Sequence, residues 1–163
     1  MHLSAFDPSW TQLFTRERDR LAEALRLPPE AFEHIGSTAI PELTAKPIID
    51  IQLGLEAFPP EGSLIARAER AGYHCFGEAG VAGRIYFTRR GTLAVNLHMV
   101  ERGGEHWRNN LALREYLKRS PEARARYATA KRAALDQSSS GLLRYSEAKA
   151  GFVALLWEEA RTQ

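Results

Sequence analysis

Residues 34–50 read HIGSTAIPELTAKPIID. The run is mostly apolar, yet it carries a Gly36–Ser37 pair, one lysine, Lys46, and one aspartate, Asp50. A glycine followed by a small hydroxyl residue lets backbone approach a ligand closely. Ala31–Ile35 reads as a strand entering that pair. Pro47–Leu55 is an almost continuous apolar run rich in β-branched residues, which suits a strand buried on both faces. With these two strands as neighbours, Gly36 admits a phosphate to the backbone, and Ser37 offers a hydroxyl and an N–H. Thr38 adds a second hydroxyl, and Asp50 can hold a divalent cation against the same phosphates. A plain turn would also explain the Gly–Ser pair. Lys46, which sits before a proline that restricts the local backbone, and Asp50 set this run apart from a plain turn.

Outward from this stretch the chain reads as helix, mixed strands and helices. Asp7–Pro8 resembles an N-cap followed by a first-turn proline. Trp10, Leu13, Phe14, Leu21 and Leu25 then recur at helical spacing, and Pro28–Pro29 are expected to stop the helix. Glu61–Ala71 reads as a helix with Gly72 just past its end. Strands are expected at Tyr73–Phe76, Arg84–Thr88 and Leu93–Val100, the last two joined by a turn at Arg89–Thr92. Helices are expected over Glu105–Arg119, Ser120–Leu135 and Tyr145–Arg161, with a flexible loop at Gln137–Gly141. The reading is α/β (α+β): one domain, with a helix and sheet core over 1–103 and helices over 104–163.

Bulk properties narrow the classes. A chain of 163 residues is about one domain. It has 22 basic and 20 acidic side chains, so its charge gives no nucleic-acid or membrane footprint. The single Cys75 excludes an internal disulfide and a multi-cysteine metal site, and reads as a small apolar residue. The amino terminus has no basic region and apolar core of a secretory signal, and no apolar run approaches the roughly 20 residues of a membrane span. A cytoplasmic protein is expected.

A strand ending in Gly–Ser, followed by an Asp inside an apolar strand, resembles the layout of the nucleotidyltransferase superfamily related to DNA polymerase beta. A closer resemblance is to the GrpB family. It rests on HIGSTAIPELTAKPIIDI (34–51), NLHMV (96–100), EHWRNNLALREYLKRSPEARARYATAKRAAL (105–135) and YSEAKAGFV (145–153), four blocks in the family's order. The resemblance implies a nucleotidyltransferase-like mixed sheet with flanking helices and a helical carboxy-terminal portion. The superfamily layout implies a nucleotide or phosphorylated small molecule as partner and nucleotidyl transfer with Mg²⁺ or Mn²⁺; a catalytically inactive nucleotide-binding module or a protein-interaction module is the alternative. Some family members are fused to the enzyme that phosphorylates dephospho-coenzyme A, which associates the family with nucleotide or coenzyme chemistry.

The site departs from that of active nucleotidyltransferases. Those enzymes place two carboxylates as Asp-x-Asp or Asp-x-Glu on one strand face and a third on a later strand, sharing two metal ions. Here the segment is Asp50–Ile51–Gln52, so alternation keeps the face while one charge is lost. The later strand, Val95–Met99, turns Asn96 and His98 to the face where the third acid would stand. One ion, or none, is therefore expected, with Asp50 and Gln52 as candidate ligands and Asp50 and His98 as candidate catalytic groups. Lys46, Arg84 and Lys149 are candidate phosphate partners, with Arg108 behind them, and His34 is expected to brace the loop. Trp107, Tyr116, Tyr127 and Trp157 fall at helical positions and read as packing residues. A hydrolytic triad of Ser37, His98 and Asp50 is set aside because no G-x-S-x-G elbow is present.

Overall fold

The computed structural model describes residues 2–137 and 142–162, with side chains described for 2–136 and 151–162. The chain divides into two compact units, Met1–Arg108 and Asn109–Gln163.

The first unit contains α1 (Ser9–Leu25), β1 (Phe32–Ile35), β2 (Ile48–Leu55), α2 (Gly62–Arg70), β3 (His74–Cys75), β4 (Arg84–Arg89) and β5 (Ala94–Glu101). The strands form one mixed sheet in the order β1-β2-β5-β4-β3. β2 and β5 run parallel, with Asp50 opposite Asn96 and Gln52 opposite His98. The β1–β2, β5–β4 and β4–β3 pairs are antiparallel. The expected neighbourhood of the strands carrying Ile35, Ile49 and Leu97 is present.

Strand alternation sorts the sheet into an apolar and a polar face. Ile49, Ile51, Leu53, Phe87, Val95, Leu97 and Met99 are fully buried, in one cluster with Trp10, Phe14, Leu21 and Leu25 of α1 and Ala68 of α2. Each such aliphatic side chain contributes about 1.5–3 kcal/mol by leaving water, so this cluster holds the first unit together. Both helices of the unit contribute to this one face.

Asp7 caps the start of α1 ahead of a helical Pro8, as the Asp–Pro pair anticipates, whereas the other end of the helix differs from the expectation. Asp7 accepts the Ser9 N–H at 2.8 Å, and the helix begins at Ser9. It stops at Arg26, two residues before the prolines. Arg26 takes the left-handed conformation (φ 56°, ψ 46°), and the Leu27 N–H closes on the Ala22 carbonyl at 3.0 Å. That closure is the usual C-terminal lock of a helix, here made without glycine. β3 is shorter than the expected Tyr73–Phe76; beyond Cys75 the Phe76 N–H still reaches the Tyr86 carbonyl at 2.8 Å.

α3 (Glu105–Arg119) begins in the first unit and runs into the second, which also holds α4 (Pro121–Gln137) and α5 (Leu142–Arg161). Ser120 Oγ accepts the Ala123 N–H at 3.1 Å, so the Ser–Pro pair opens α4 as its spacing predicts. Within this unit Tyr116 donates to Glu159 at 3.1 Å, and Arg126 pairs with the same carboxylate at 2.6 Å. The buried Tyr127 lies 6.2 Å from the Phe152 ring. Of the expected loop at 137–141, Gln137 ends α4 and 138–141 lie outside the described residues.

Candidate functional site

The polar face of the sheet carries Asp50 and Gln52 from β2, Glu33 from β1 opposite Gln52, Asn96 and His98 from β5, and Arg84, Tyr86 and Thr88 from β4, as the register requires. Parallel pairing of β2 with β5 puts Asp50 beside Asn96 and His98. Asn96 donates its side-chain amide to Asp50 Oδ1 at 2.9 Å, and His98 Nε2 lies 3.2 Å from the same oxygen. The Asp50 and His98 side chains are 25% and 16% exposed, so both reach solvent while sharing a sheltered contact.

Asn96 is itself oriented. Arg90, in the β4–β5 connection, donates to its carbonyl oxygen at 2.8 Å and to the Val95 backbone carbonyl at 2.9 Å. With that oxygen engaged, the NH₂ of Asn96 faces Asp50. On the other side of His98 the Tyr86 ring lies 5.2 Å away, and the Arg84 guanidinium sits 4.8 Å above the Tyr86 ring. Burial raises the Tyr86 phenol above its ordinary value, and the charge of Asp50 adds to this. Burial lowers the Arg84 guanidinium, while Tyr86 and Asp50 oppose the shift. Arg84 also donates to the Glu78 and Ala79 carbonyls at 3.1 and 3.4 Å, and its buried Nε has no hydrogen-bond partner among the described residues.

Gly36 ends β1 beside the carboxylate, with φ +74° and ψ −171°, a combination that is essentially restricted to glycine. A Cβ on Gly36 would stand 2.7 Å from Asp50 Oδ2 and 3.1 Å from Asp50 Cβ. The glycine is therefore there for two reasons, the turn and the room it leaves for the acid. Ser37 starts a single 3₁₀ turn, Ser37–Ala39, and is buried. Behind it, on the apolar side, Thr38 Oγ1 is 2.9 Å from His34 Nε2 and donates to the Ile48 carbonyl at 3.4 Å. His34 stacks on Phe14 at 4.7 Å. His34 and Thr38 thus tie the turn to the core, as the reading of His34 anticipates; the Thr38 hydroxyl is engaged inward and only 1% of the residue is exposed.

The structure brings Gly36, Ser37, Asp50 and His98 together, with Arg84 joined to them through Tyr86. Lys46 stands two residues before β2 and is half-buried. Gln52 shares the face but is fully buried, its Nε2 3.4 Å from the Trp107 carbonyl. The Trp107 ring lies on Gly54, where a Cβ would come within 2.7 Å of it. Trp107 thus covers the far half of β2 and leaves Asp50 at the open half. Arg108 turns back to the Gly103 carbonyl at 2.5 Å. The Lys149 side chain lies outside the described residues. Asn96, Tyr86 and Arg90 belong to the site on geometric grounds. Alternation points to the first two, whereas Arg90 reads in sequence only as a turn residue.

Mixed sheet, flanking helices and a polar sheet face centred on Asp50 define an α+β protein with its candidate site on the sheet surface. The chain belongs to the GrpB family, whose "GrpB protein" description matches residues 1–159. It is 31% identical over 159 residues to the UPF0157 protein YqkA of Bacillus subtilis, covering 96% of this chain and 46% of that protein. The chain therefore spans about half the length of that relative. Identity to a UPF0157 protein of Deinococcus radiodurans is 36% over 165 residues, covering 98% of this chain and 82% of that protein. The crystal structure of conserved protein GrpB from Enterococcus faecalis is similar with a TM-score of 0.83 and 29% identity, covering 98% of this chain and 96% of that one. No helix among the described residues is long and apolar enough to cross a membrane.

Proposed function

We propose that this chain binds a nucleotide or another phosphorylated small molecule on the polar face of its sheet. The phosphates lie at Gly36–Ser37, with Lys46 and Arg84 as cationic partners. The observation that carries this reading is the contact between Gly36 and Asp50: a glycine-only backbone conformation placed directly against a partly solvated carboxylate. A turn needed only to reverse the chain has no reason to sit so close to a partly solvated carboxylate.

The donor set suits one divalent ion better than two. Among the described residues no three or more His, Cys, Asp or Glu side chains gather to hold a metal. Asp50 without such a cluster does not offset the mutual repulsion of two dications. Asp50 would therefore hold a single Mg²⁺ or Mn²⁺ with the ligand's own phosphate oxygens, and Gln52, enclosed under Trp107, takes no part. Such an ion neutralises phosphate charge and polarises a phosphoryl group. Nucleotidyl transfer, as in the nucleotidyltransferase superfamily, is the reaction this arrangement would serve, with His98 beside Asp50 as the group able to exchange a proton. A binding module that has kept the loop without the chemistry is the alternative, favoured by the loss of two of three carboxylates.

The test is a thermal-shift screen of nucleotides and coenzyme A precursors with and without Mg²⁺, because a ligand in excess over its Kd stabilises the fold by mass action. A nucleotide-dependent rise in Tm that disappears in the double variant Ser37→Ala, Lys46→Ala is expected. A rise unaffected by that variant places the ligand elsewhere. Calorimetry of Mn²⁺ with the wild type and Asp50→Asn separates the metal from the nucleotide. Tight binding without nucleotide that survives Asp50→Asn overturns the assignment of Asp50.

A further inference from the structure

Away from the polar face, two clefts meet beside the ends of α1 and α2. One, of about 380 Å³, is lined by Arg20, Ala24, Arg26, Arg67, Arg70 and Ala71: four arginines and no acid. The other, of about 360 Å³, is walled by Leu25, Leu27, Ala31, Leu55, Pro59 and Leu64 among others. Arg26 and Arg67 line both. Two acids of the second cleft, Glu56 and Glu61, are exposed, and Glu56 lies 3.4 Å from Arg102.

The four guanidinium groups are not equivalent. Arg20 is held by Glu17 at 2.7 Å and by the Ala71 carbonyl at 3.0 Å. Its charge is largely offset. Arg26, Arg67 and Arg70 make no ion pair among the described residues; Arg67 reaches only the Leu25 carbonyl, at 3.5 Å. Three uncompensated cations around one groove repel each other. A monoanionic carboxylate would leave two of them unmatched, whereas a phosphate dianion or a diphosphate matches the set and suits the forked guanidinium geometry. Arg26 adds a second observation. It occupies a left-handed position where glycine is the unstrained choice. Backbone strain of this kind points toward use of the side chain.

We propose that the joined clefts form a second binding site, separate from the Asp50 face, for a small molecule with an apolar body and a phosphate end. The apolar body lies against Leu25, Leu55 and Leu64, and the phosphate lies among Arg26, Arg67 and Arg70. The volumes are those of a small-molecule site, roughly 300–1,000 Å³.

The probes are 1-naphthyl phosphate and inorganic phosphate, titrated by calorimetry against the full chain. The aryl phosphate is expected to bind at least about tenfold more tightly than inorganic phosphate. Arg26→Gly should weaken both by about tenfold, the size of one charge-assisted contact, while its Tm does not fall, because the substitution removes backbone strain. Arg70→Gln, at an exposed position, should act in the same direction. Ala57→Trp, also exposed and facing the apolar cleft, should erase the preference for the aryl group and leave inorganic phosphate binding unchanged. Ser37→Ala with Lys46→Ala should leave aryl phosphate binding intact, which separates this site from the one on the sheet face. Failure of the aryl phosphate to bind at millimolar concentration, equal affinity for the two probes, indifference to Arg26→Gly and Arg70→Gln, or loss on changing Ser37 and Lys46 would each overturn the proposal.

Discussion

Gly36→Ala isolates the contact on which the sheet-face site depends. Two costs add. The backbone at φ +74° and ψ −171° is strained for any side chain, by about 1–3 kcal/mol. The new methyl would also stand 2.7 Å from Asp50 Oδ2. Something must shift, and the carboxylate is the group that can. Its movement weakens the bond from Asn96 and the contact with His98, at about 1–3 kcal/mol for hydrogen bonds to a charged group. The sum is about 2–6 kcal/mol. At roughly 2–4 °C per kcal/mol for a chain of this length, Tm should fall by about 4–24 °C. The decisive measurement is a double-mutant cycle by urea denaturation. In an Asp50→Ala background the oxygen at 2.7 Å is gone and only the Cβ contact at 3.1 Å remains. The cost of Gly36→Ala should then drop toward the backbone term, giving a coupling of at least about 1 kcal/mol. If Gly36→Ala costs the same in both backgrounds, or costs less than about 1 kcal/mol in the wild type, the glycine is not there to make room for the acid.

Three further changes test other parts of the molecule. Glu17, only 4% exposed, accepts from Tyr73 at 2.6 Å, from Arg20 at 2.7 Å, and pairs with Arg89 at 2.9 Å. Glu17→Gln should cost about 2–4 kcal/mol, less than a fully buried pair because both arginines keep some contact with water. Burial opposes ionisation of Glu17, but the bonds from Arg20 and Tyr73 and the charges of Arg20 and Arg89 prevail and hold its carboxyl below the ordinary 4.5. A depressed folded-state value means the contribution is present above about pH 4.5 and is lost as pH falls through the lowered value. The wild type should therefore lose urea resistance on acidification more steeply than Glu17→Gln; parallel profiles would show that the cluster is not linked to protons in this range. Gly54→Ala drives a methyl to within 2.7 Å of the Trp107 ring and should cost about 1–3 kcal/mol by overpacking, with a shift in tryptophan emission as the accompanying sign. Arg90→Ala should lower stability by only about 0.5–1.5 kcal/mol but displace the Asn96 side-chain amide resonances in an NMR spectrum; unmoved resonances would mean that Arg90 does not orient that amide.

Much of this architecture was legible because it follows from alternation. Asp50 and Gln52 are two residues apart in an otherwise apolar strand, and Asn96 and His98 are two apart in another. A period of two places each pair on one face, and pairing of the strands brings the pairs together. Other features were illegible for physical reasons. Arg90 acts through a long side chain that spans from the turn to Asn96, a reach that no local spacing encodes. Glu17 lies on the line of Trp10, Phe14 and Leu21 in α1, so its burial was written in the helical period, but its charge suggested the solvent side. The end of α1 was assigned to the prolines, the stronger local signal, whereas an arginine in a left-handed turn ends the helix first. The cover over Gln52 depends on Trp107, far along the chain and meeting β2 only in three dimensions. Side-chain reach and long-range cover are properties of the folded surface, which one-dimensional periodicity does not carry.

The sheet narrows toward its margins. β2 and β5 are eight residues long and β4 six, whereas the two outer strands, β1 and β3, have four and two. An outer strand presents unpaired amides and carbonyls that can template another chain. Here a β-strand arriving from outside finds a ladder of four residues on one margin and two on the other, while the central residues of the long apolar strands are paired on both sides. Association of this protein by strand addition, whether as a fibril seed or as a recruited peptide, is therefore disfavoured by the geometry of the sheet itself, and partners must meet it through side chains.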